Sequence, residues 1–350
     1  MKEYLHRCFE LARQSPPSVA PNPPVGALVV KGGRIIGEGF HERFGGPHAE
    51  IVALDRVQNP AERVDATLFV SLEPCNHTGK TPPCTERIIR DGIAHVVVGC
   101  MDPNPIVAGK GIAALRQAGI DVQMAPDAKP FENLIRFFTL NQKRKRPYVL
   151  LKWAETADGK IGRSRGNRLQ ISGPDAIHYV HGLRSEYQAI MVGKNTVRKD
   201  NPLLSVRHQS GPSPVRILFD IDLDLSPDLA VFRPDAQVIV INHTRDETAG
   251  HIRYFVPQNK SAYLKLDILL GELYERCGIG SILVEGGRYL LQQFLNQDIY
   301  DEIQLLRNPR PAPSDADVSA PWVVHEFRFD RILPLGSDML FVKNNLYPNH

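Results

Sequence analysis

The chain has 350 residues, of which 42% are hydrophobic, and this is enough for two domains of ordinary size. A formal net charge of +3 does not by itself indicate a nucleic-acid-binding protein. No apolar run approaches the ~20 residues that span a bilayer, and the N-terminus has no apolar signal-peptide core. We therefore expect a cytoplasmic protein with neither a nucleic-acid nor a membrane partner, in which Cys8, Cys100 and Cys277 are buried, reduced thiols.

The first half of the chain predicts alternating helices and strands. Apolar residues at helical spacing predict a helix over residues 2–14, and two short strands follow, joined by a Lys-Gly-Gly hairpin signal. The strands are predicted at 26–30, 35–40, 67–72, 94–100 and 121–124, and the later helices at 48–57, 85–91, 111–118 and 131–141. This order is typical of an α/β fold in which helices cover a sheet.

One stretch of this half has the residue types of a metal site. His48, Cys75 and Cys84 supply one imidazole and two thiols, a plausible set of three zinc ligands. Three protein ligands leave the fourth tetrahedral position for water, which is typical of a catalytic site. Glu50 is not needed as a ligand, and its carboxylate can move a proton from water to a leaving amine. Isolated His and Cys residues usually belong to cores, but the joint pattern favours a metal and matches the zinc-deaminase signature.

The match departs from that signature in the cysteine spacing, because eight residues separate Cys75 from Cys84 instead of two. The insert is polar and rich in turn formers, so it can loop out and return Cys84 to the first turn of a helix. His48 and Glu50 can converge only at the N-terminal end of their helix, where side chains lean toward the helix start. Helix dipoles also favour a thiolate at such a position.

A domain boundary is expected near Arg146. The basic run 143–146, followed by Pro147, suits an exposed linker. A contact with a phosphate or a nucleic acid is the alternative, and it is disfavoured because no aromatic residues interleave with the basic ones.

The second half predicts another α/β arrangement with two strand–glycine–helix junctions, at 192–196 and 285–288. Backbone amides at a helix start can bind phosphate, although each junction alone is more often a plain turn. Neither junction has the G-x-G-x-x-G spacing, so a Rossmann site is not supported. Strands are predicted at 148–153, 188–192, 215–220, 237–241, 281–285, 302–306, 323–329 and 339–342, helices at 174–184, 264–277 and 288–296, and a surface loop at 308–320.

These motifs together resemble the bifunctional riboflavin-biosynthesis deaminase–reductase family. The resemblance covers nearly the whole chain, and the long cysteine spacing is specific to it. The motifs are Pro21-Asn22-Pro23, His48-Ala49-Glu50, the run from Glu73 to Cys84, Asp102-Pro103-Asn104-Pro105, Lys152 to Gly159, Val192-Gly193 with Thr196, Asp200-Asn201-Pro202 and Val284-Glu285-Gly286-Gly287.

The resemblance implies a cytidine-deaminase-like, three-layer α/β domain at 1–145 and a dihydrofolate-reductase-like α/β domain at 146–350. The first would use one zinc ion to deaminate 2,5-diamino-6-ribosylamino-4(3H)-pyrimidinone 5′-phosphate. The second would reduce the ribosyl group to ribityl with NADPH. The implied partners are this small phosphorylated pyrimidine and further copies of the chain, in a homo-oligomer formed through the reductase domain.

The resemblance also implies roles for single residues. Substrate contacts in the deaminase domain fall on Asn22, His41, His77, Lys80 and Asn104. Substrate contacts in the reductase domain fall on Arg184, Leu204, Arg207 and Glu285. The NADPH contacts fall on Ala154, Gln170, Thr196, Asp200, Gly286, Gly287 and Arg288. Lys152 and Asp200 are the catalytic candidates of the reductase, although Lys152 could instead merely pair with Asp200. For Arg184, a solvated helix face is the alternative.

Two departures from the family pattern concern the reductase. Gln170-Ile171-Ser172-Gly173 stands where the family usually has Trp-Ile-Thr-Ser, and the usual Ala-Pro-Lys-Leu-Leu-Gly-Gly run after Leu306 is absent. Both bear on NADPH or substrate binding. One alternative function is a zinc deaminase of another nucleoside or nucleobase, with a non-catalytic C-terminal domain. Another is a structural zinc module used for binding.

Overall fold

The computed structural model describes residues 1–78, 82–105, 107–165, 168–263, 265–322 and 328–345. The chain divides into two compact units, Met1–Lys145 and Arg146–His350. Each unit has its own sheet and its own apolar core. No helix in these described ranges has the length and apolar character needed to cross a bilayer.

The first unit is built on a mixed sheet. Its strands are β1 (Gly26–Lys31), β2 (Arg34–Phe40), β3 (Thr67–Leu72), β4 (His95–Cys100) and β5 (Asp121–Met124). Its helices are α1 (Lys2–Ala12), α2 (Ala49–Asp55), α3 (Cys84–Arg90), α4 (Lys110–Gln117), α5 (Lys129–Leu134) and α6 (Arg136–Arg144). Within the described residues the strand order is β2-β1-β3-β4-β5, with β1 antiparallel to both neighbours and β3, β4 and β5 parallel.

Helices cover both faces of this sheet. Neighbouring residues of a strand point to opposite faces, so Val29 joins the apolar cluster of α2, α3 and α4, while Leu28 joins that of α1, α5 and α6. Two glycines let α2 approach β2 closely, since a Cβ on Gly37 would lie 2.3 Å from the Ala53 carbonyl oxygen and one on Gly39 2.7 Å from the Ala53 amide nitrogen. The predicted three-layer arrangement is confirmed.

The second unit has a larger sheet. Its strands are β6 (Tyr148–Glu155), β7 (Lys160–Gly162), β8 (Ala189–Val192), β9 (Val215–Phe219), β10 (Val238–Ile241), β11 (Glu247–Ala249), β12 (Ile252–Phe255), β13 (Ser281–Glu285), β14 (Glu302–Arg307), β15 (Val318–Ser319), β16 (Arg331–Leu335) and β17 (Asp338–Asn344). Its helices are α7 (Pro174–Glu186), α8 (Lys194–Asp200), α9 (Leu266–Cys277) and α10 (Arg288–Asn296).

The central strands of this sheet are parallel and the strands at its two ends are antiparallel. Across the described residues the order in this sheet is β11-β12-β10-β9-β8-β13-β6-β14-β17-β16, whereas β7 and β15 form a separate two-stranded antiparallel sheet. Parallel pairing runs from β12 to β14, and β11, β17 and β16 pair in the antiparallel sense. The central strands are almost wholly buried, as expected of parallel strands with both faces covered.

The structure differs from the predicted elements in several places. The helix predicted at 131–141 is two helices, α5 and α6, that meet at Ile135. The short strands β7, β11, β12, β15 and β16 were not predicted, because all but one of their residues are exposed or only partly buried and they lack a long apolar run. The strand predicted at 323–329 falls mainly on residues 323–327, which lie outside the described residues, and residues 328–329 are not in a strand.

The prediction of an exposed basic linker was only partly right: residues 143–145 are exposed, but they form the end of a helix, and Arg146 is buried. Lys143 and Arg144 form the last turn of α6, and Lys145 ends that helix in a left-handed conformation with φ of 52°. Arg146 is only 6% exposed, because its guanidinium forms a two-pronged ion pair with Asp301, with N–O distances of 2.7 and 2.8 Å. The sequence gives no hint of this partner, which lies 155 residues away.

The Arg146–Asp301 pair also fixes the start of the second sheet. Asp301 accepts a third hydrogen bond, of 2.8 Å, from the amide of Val149 in β6, and Arg146 donates to the carbonyl oxygen of Pro147. Removing one partner of a buried pair leaves the other charge without compensation, which costs much more than losing an exposed pair.

We therefore expect Asp301→Ala to lower the free energy of unfolding of the second unit by ~3–5 kcal/mol. The chain has only two tryptophans, and Trp153 and Trp322 both belong to this unit, so tryptophan fluorescence in a urea titration follows it selectively. Glu247→Ala breaks the exposed Arg245–Glu247 pair of the same unit and should cost less than ~1 kcal/mol. Equal losses of unfolding free energy in the two variants would show that the buried pair stabilises the unit no more than the exposed pair does.

Candidate active sites

The three predicted metal ligands come together in the first unit. His48 is the residue that precedes α2, Cys84 is the first residue of α3, and Cys75 follows β3. The Nδ1 atom of His48 lies 3.5 Å from the Cys75 Sγ atom and 3.3 Å from the Cys84 Sγ atom. All three atoms lie within 4.8 Å of one another, so one cation can contact them together.

The donor set has the chemistry that zinc requires. One imidazole nitrogen and two sulfurs are typical zinc ligands. The backbone N–H of Cys84 donates to the Cys75 sulfur at 3.4 Å, which stabilises a negative sulfur. Hydrogen bonds from the Cys84 thiol and from His48 lower the pKa of Cys75, so this ligand is already a thiolate near neutral pH. The residues present therefore fit zinc.

Glu50 lies beside this group, in the first turn of α2, and is only 4% exposed. Its carboxyl is within hydrogen-bonding reach of the Cys84 thiol, and burial raises its pKa to about 7. A group with a pKa close to the working pH can both accept and return a proton. The geometry is therefore suited to proton transfer next to a metal.

Asn22 and His41 form a second group against the metal ligands. The imidazole of His41 packs edge-on against that of His48, with ring centres 5.6 Å apart. The Pro47 carbonyl oxygen, 3.0 Å from His41 Nδ1, can only accept, so Nδ1 carries the proton. Burial lowers the pKa of His41, which keeps the ring neutral. His41 Nε2 then accepts from the Asn22 amide at 3.0 Å, and this fixes the orientation of Asn22.

Glu73, which directly follows β3, anchors the loop that carries Asn104. This carboxylate is 3% exposed and accepts backbone N–H groups from Asp102, Gly109, Gly111 and Ile112 at 3.0–3.2 Å. The sequence analysis gave Glu73 no role. A charged residue directly after a buried strand, beside Pro74-Cys75, was the available signal.

The other predicted deaminase contacts lie around the same loop. Asp102 accepts the Asn104 amide at 2.8 Å, and burial raises the pKa of Asp102 to about 6. His77 is exposed and close enough to Asp102 to influence that pKa. Lys80 lies outside the described residues.

In the second unit, Arg184 and Glu285 pair with each other. The guanidinium donates to both carboxylate oxygens at 2.9 and 2.8 Å, and both side chains are nearly buried. The alternative of a solvated helix face for Arg184 is therefore wrong. Lys152 lies next to Glu285 in the register of β6 and β13, and burial lowers its pKa. Burial alone would raise the pKa of Glu285, but Arg184 and Lys152 hold it at about 2.

Lys152 has Glu285 and Arg184 as its main charged neighbours. Among the ion pairs of the described residues none joins Lys152 to Asp200, which is the last residue of α8. The alternative in which these two side chains merely pair is therefore not seen.

The two strand–glycine–helix junctions of this unit meet. Gly286 and Gly287 have positive φ values of 77° and 64°. A Cβ on Gly287 would lie 2.7 Å from the Thr196 hydroxyl oxygen, at the junction after β8. Gly287 precedes α10, so backbone amides at the start of that helix are open to an anion. This cradle, which a side chain would fill, fits the phosphates of a dinucleotide.

The remaining predicted residues are spread around these groups. Leu204 is buried with φ of 57°, and the amide of the exposed Arg207 donates to His181 Nδ1 at 3.2 Å. Exposed Gln170 donates to the Ser172 carbonyl oxygen at 2.9 Å. Ala154 packs against the small apolar cluster of α7 and β17, and Arg288 is the exposed first residue of α10.

Comparisons with known proteins agree with this division. The family model described as the cytidine and deoxycytidylate deaminase zinc-binding region matches residues 1–100, and the RibD C-terminal domain matches residues 147–311. A riboflavin biosynthesis protein RibD of Synechocystis is 39% identical over 94% of this chain and 89% of its own length. That of Escherichia coli is 34% identical, over 96% of this chain and 97% of its own.

Solved structures give the same result. The deaminase/reductase of Thermotoga maritima aligns with a TM-score of 0.85 and 39% identity over 98% of both chains. RibD of Acinetobacter baumannii aligns with a TM-score of 0.84 and 31% identity over 97% of both. Fold and sites define an enzyme with a cytidine-deaminase-like unit followed by a dihydrofolate-reductase-like unit. The chain belongs to the RibD family of riboflavin biosynthesis.

Several expectations are thereby confirmed. The protein is a bifunctional deaminase and reductase of riboflavin biosynthesis that uses zinc and NADPH. Its substrates are small phosphorylated pyrimidines. A structural zinc module without enzymatic activity is excluded, and a deaminase with a non-catalytic second domain is not favoured.

We expect Glu73→Gln to loosen the Asn104 loop, because an amide NH2 would face backbone donors that now meet a carboxylate oxygen. Hydrogen exchange followed by mass spectrometry should show faster exchange at the amides of residues 102–112, together with a higher KM for deamination and an unchanged zinc content. Glu42→Gln, at an exposed position paired with Arg56, is the matched control. Unchanged exchange and KM in Glu73→Gln would refute the positioning role.

Proposed function

We propose that the first unit hydrolyses the 2-amino group from 2,5-diamino-6-ribosylamino-4(3H)-pyrimidinone 5′-phosphate and that the second reduces the ribosyl group of the product to ribityl. The observation that carries the proposal is the mutual approach of His48, Cys75 and Cys84 with the buried carboxyl of Glu50 beside them. The relative from T. maritima bears the name of a diaminohydroxyphosphoribosylaminopyrimidine deaminase and 5-amino-6-(5-phosphoribosylamino)uracil reductase, which supports the same substrates here.

In the deaminase unit, we assign the zinc ligands to His48, Cys75 and Cys84. Zinc, when bound, lowers the pKa of water to about 7 and so makes a nucleophile available at neutral pH. Glu50 takes one proton of the water and passes it to the 2-amino group, which leaves as ammonia. The water oxygen becomes the 2-oxo group of the product and the second water proton ends on the adjacent ring nitrogen, so that atoms and charge balance.

Polar groups around the metal ligands orient the pyrimidine. Asn22, held by the neutral His41, offers an amide in a fixed direction beside His48. Asn104 approaches from the loop that Glu73 anchors, and His77, which follows Cys75, lies close to Asp102 of that loop. Lys80, outside the described residues, remains a proposed contact to the substrate phosphate.

In the reductase unit, NADPH supplies a hydride when bound. We propose that the cofactor phosphates bind at Gly286 and Gly287, which follow β13 and lie against Thr196. We propose that the rest of the cofactor is contacted by Gln170, Ala154, Asp200 and Arg288. The buried position of Lys152 next to Glu285 suits an acid that protonates the sugar oxygen as the ring opens, because burial makes Lys152 a better proton donor.

We propose different roles for the two arginines predicted to contact the substrate, Arg184 and Arg207. Arg184 is engaged by Glu285, so we propose that it orients that carboxylate toward the ribosyl hydroxyls instead of holding the phosphate. Arg207 is exposed, beside the buried Leu204 turn, and is the better candidate for the substrate phosphate.

We further propose a homo-oligomer formed through the reductase unit. Its edge strand β16 exposes Ile332 and Leu333 to 53% and 43%, and an exposed apolar edge strand readily pairs with another chain. A cytoplasmic location, without nucleic-acid or membrane partners, remains our expectation, and the five free thiols suit a reducing compartment.

We expect Glu50→Gln to abolish ammonia release while one zinc per chain is retained, since Glu50 is not a ligand. The expected loss in kcat is ~10²–10⁴-fold, which is the usual contribution of a general acid–base group. NADPH oxidation by the variant should stay normal when the deaminated intermediate is supplied. Cys84→Ser, as the contrasting variant, should lose zinc together with deamination. Full activity of Glu50→Gln would refute the mechanism, and no NADPH oxidation by the wild type would refute the reductase assignment.

We expect Ile332→Lys to shift the protein toward monomers in size-exclusion chromatography with light scattering, because the lysine at this edge-strand position would be buried in the proposed interface. Ile35→Lys changes an isoleucine of similar exposure, 43%, in the first unit and should leave the mass unchanged. A wild type that is monomeric at working concentration contradicts the proposed oligomer.

A further inference from the structure

The turn that carries Arg207 has a buried start and an exposed end. Leu204 and Ser205 are each 4% exposed, and Leu204 adopts a left-handed conformation with φ of 57°. The Arg207 side chain is exposed, and none of the ion pairs of the described residues includes it. We call residues 204–207 the Arg207 turn. Its guanidinium can receive a phosphate from solvent without giving up a carboxylate partner.

Two side chains of α7 hold the backbone of the Arg207 turn. The Nδ1 atom of His181 accepts the backbone N–H of Arg207 at 3.2 Å. Arg184, three residues further along and therefore on the same helix face, donates to the Ser205 carbonyl oxygen at 3.4 Å. Arg184 also pairs with Glu285, at 2.8 Å. The side chain of α7 that contacts Arg207 itself is thus His181.

The surroundings of His181 keep it an acceptor. It is 3% exposed, and the ring of His208 packs edge-on against it with ring centres 4.6 Å apart. A backbone N–H can only donate, so Nδ1 uses its lone pair and the proton of the ring lies on Nε2. Burial lowers the pKa of His181 to about 4, helped by the positive charges of Arg184, His208 and Arg207 and opposed by Glu285. The ring is therefore neutral at neutral pH.

We infer that His181 is a positioning residue of the reductase, which holds the Arg207 turn in the conformation that receives the substrate phosphate by accepting the Arg207 amide. The inference rests on the proposed role of Arg207 as the phosphate contact. A guanidinium pairs with a phosphate through two parallel hydrogen bonds, so its backbone must be fixed in place. A buried amide without an acceptor is costly, and loss of the imidazole nitrogen therefore releases the turn.

The rival role for a buried imidazole is packing between α7 and the turn, and two variants distinguish the roles. In His181→Asn the side-chain oxygen is bonded to Cγ, as Nδ1 is in histidine, so the acceptor is kept. In His181→Leu the apolar bulk is kept and the acceptor is lost. Leucine is also the better helix former of the two. A packing role therefore predicts that leucine is tolerated better, whereas a positioning role predicts the opposite order.

The test is NADPH oxidation by the full chain with the deaminated intermediate as substrate. His181→Leu should raise the KM for the intermediate by about tenfold or more and change kcat by less than about threefold, since binding is lost and the chemical step is not. His181→Asn should keep KM within about threefold of the wild type. Hydrogen exchange at the amides of residues 205–208 should be faster only in His181→Leu. His178→Leu, at an exposed side chain of the same helix, is the matched control and should change none of these quantities.

Arg207→Gln, assayed in parallel, separates this inference from the proposed function. If it raises KM while His181→Leu does not, or while His181→Asn is impaired as much as His181→Leu, the inference is overturned and the role of Arg207 stands. If Arg207→Gln leaves KM unchanged, Arg207 does not bind the phosphate and the inference fails with it. Should His181→Leu fail to fold, His181→Gln replaces it, because its side-chain oxygen lies one bond farther out and the same rise in KM is expected.

Discussion

The first unit depends on the convergence of one imidazole, two sulfurs and a buried carboxyl. Burial opposes this convergence, because it raises the pKa of Glu50 and so disfavours the charged carboxylate, whereas His48 favours it. The fold makes it possible by starting two helices at the ligands, with His48 before α2 and Cys84 opening α3. Close backbone packing then fixes both segments, since a Cβ on Gly111 would lie 2.0 Å from the Pro74 carbonyl oxygen.

The second unit handles buried charge differently. Among its described residues, the buried charged side chains are balanced by one another within the protein. The charge of Glu285 is compensated by those of Arg184 and Lys152 at the end of the central strands β13 and β6. Where the unit begins, the charges of Arg146 and Asp301 compensate each other. Such pairs favour a unique geometry only when every partner is present. The orientation of the Glu285 carboxylate therefore depends on Arg184 as much as on β13.

The features that could be predicted from the sequence are those for which only a few residue types are chemically suitable. The spacing of His48, Glu50, Cys75 and Cys84 sufficed because zinc accepts few ligands, and buried parallel strands were recognisable as continuous apolar runs. Arg146 was misjudged because its partner lies far away in the chain. Glu73 was missed because its four donors are backbone amides, which have no sequence signal.

The departures from the family pattern fall where binding is shared among many contacts. A zinc ligand cannot be exchanged without loss of the metal, whereas a cofactor that touches several segments tolerates changes at single positions. The segment from Gln170 to Gly173 illustrates this. It lacks the family's aromatic residue, yet it is anchored, because the Gly173 amide donates to Asp338 at 2.8 Å and Gly173 precedes α7.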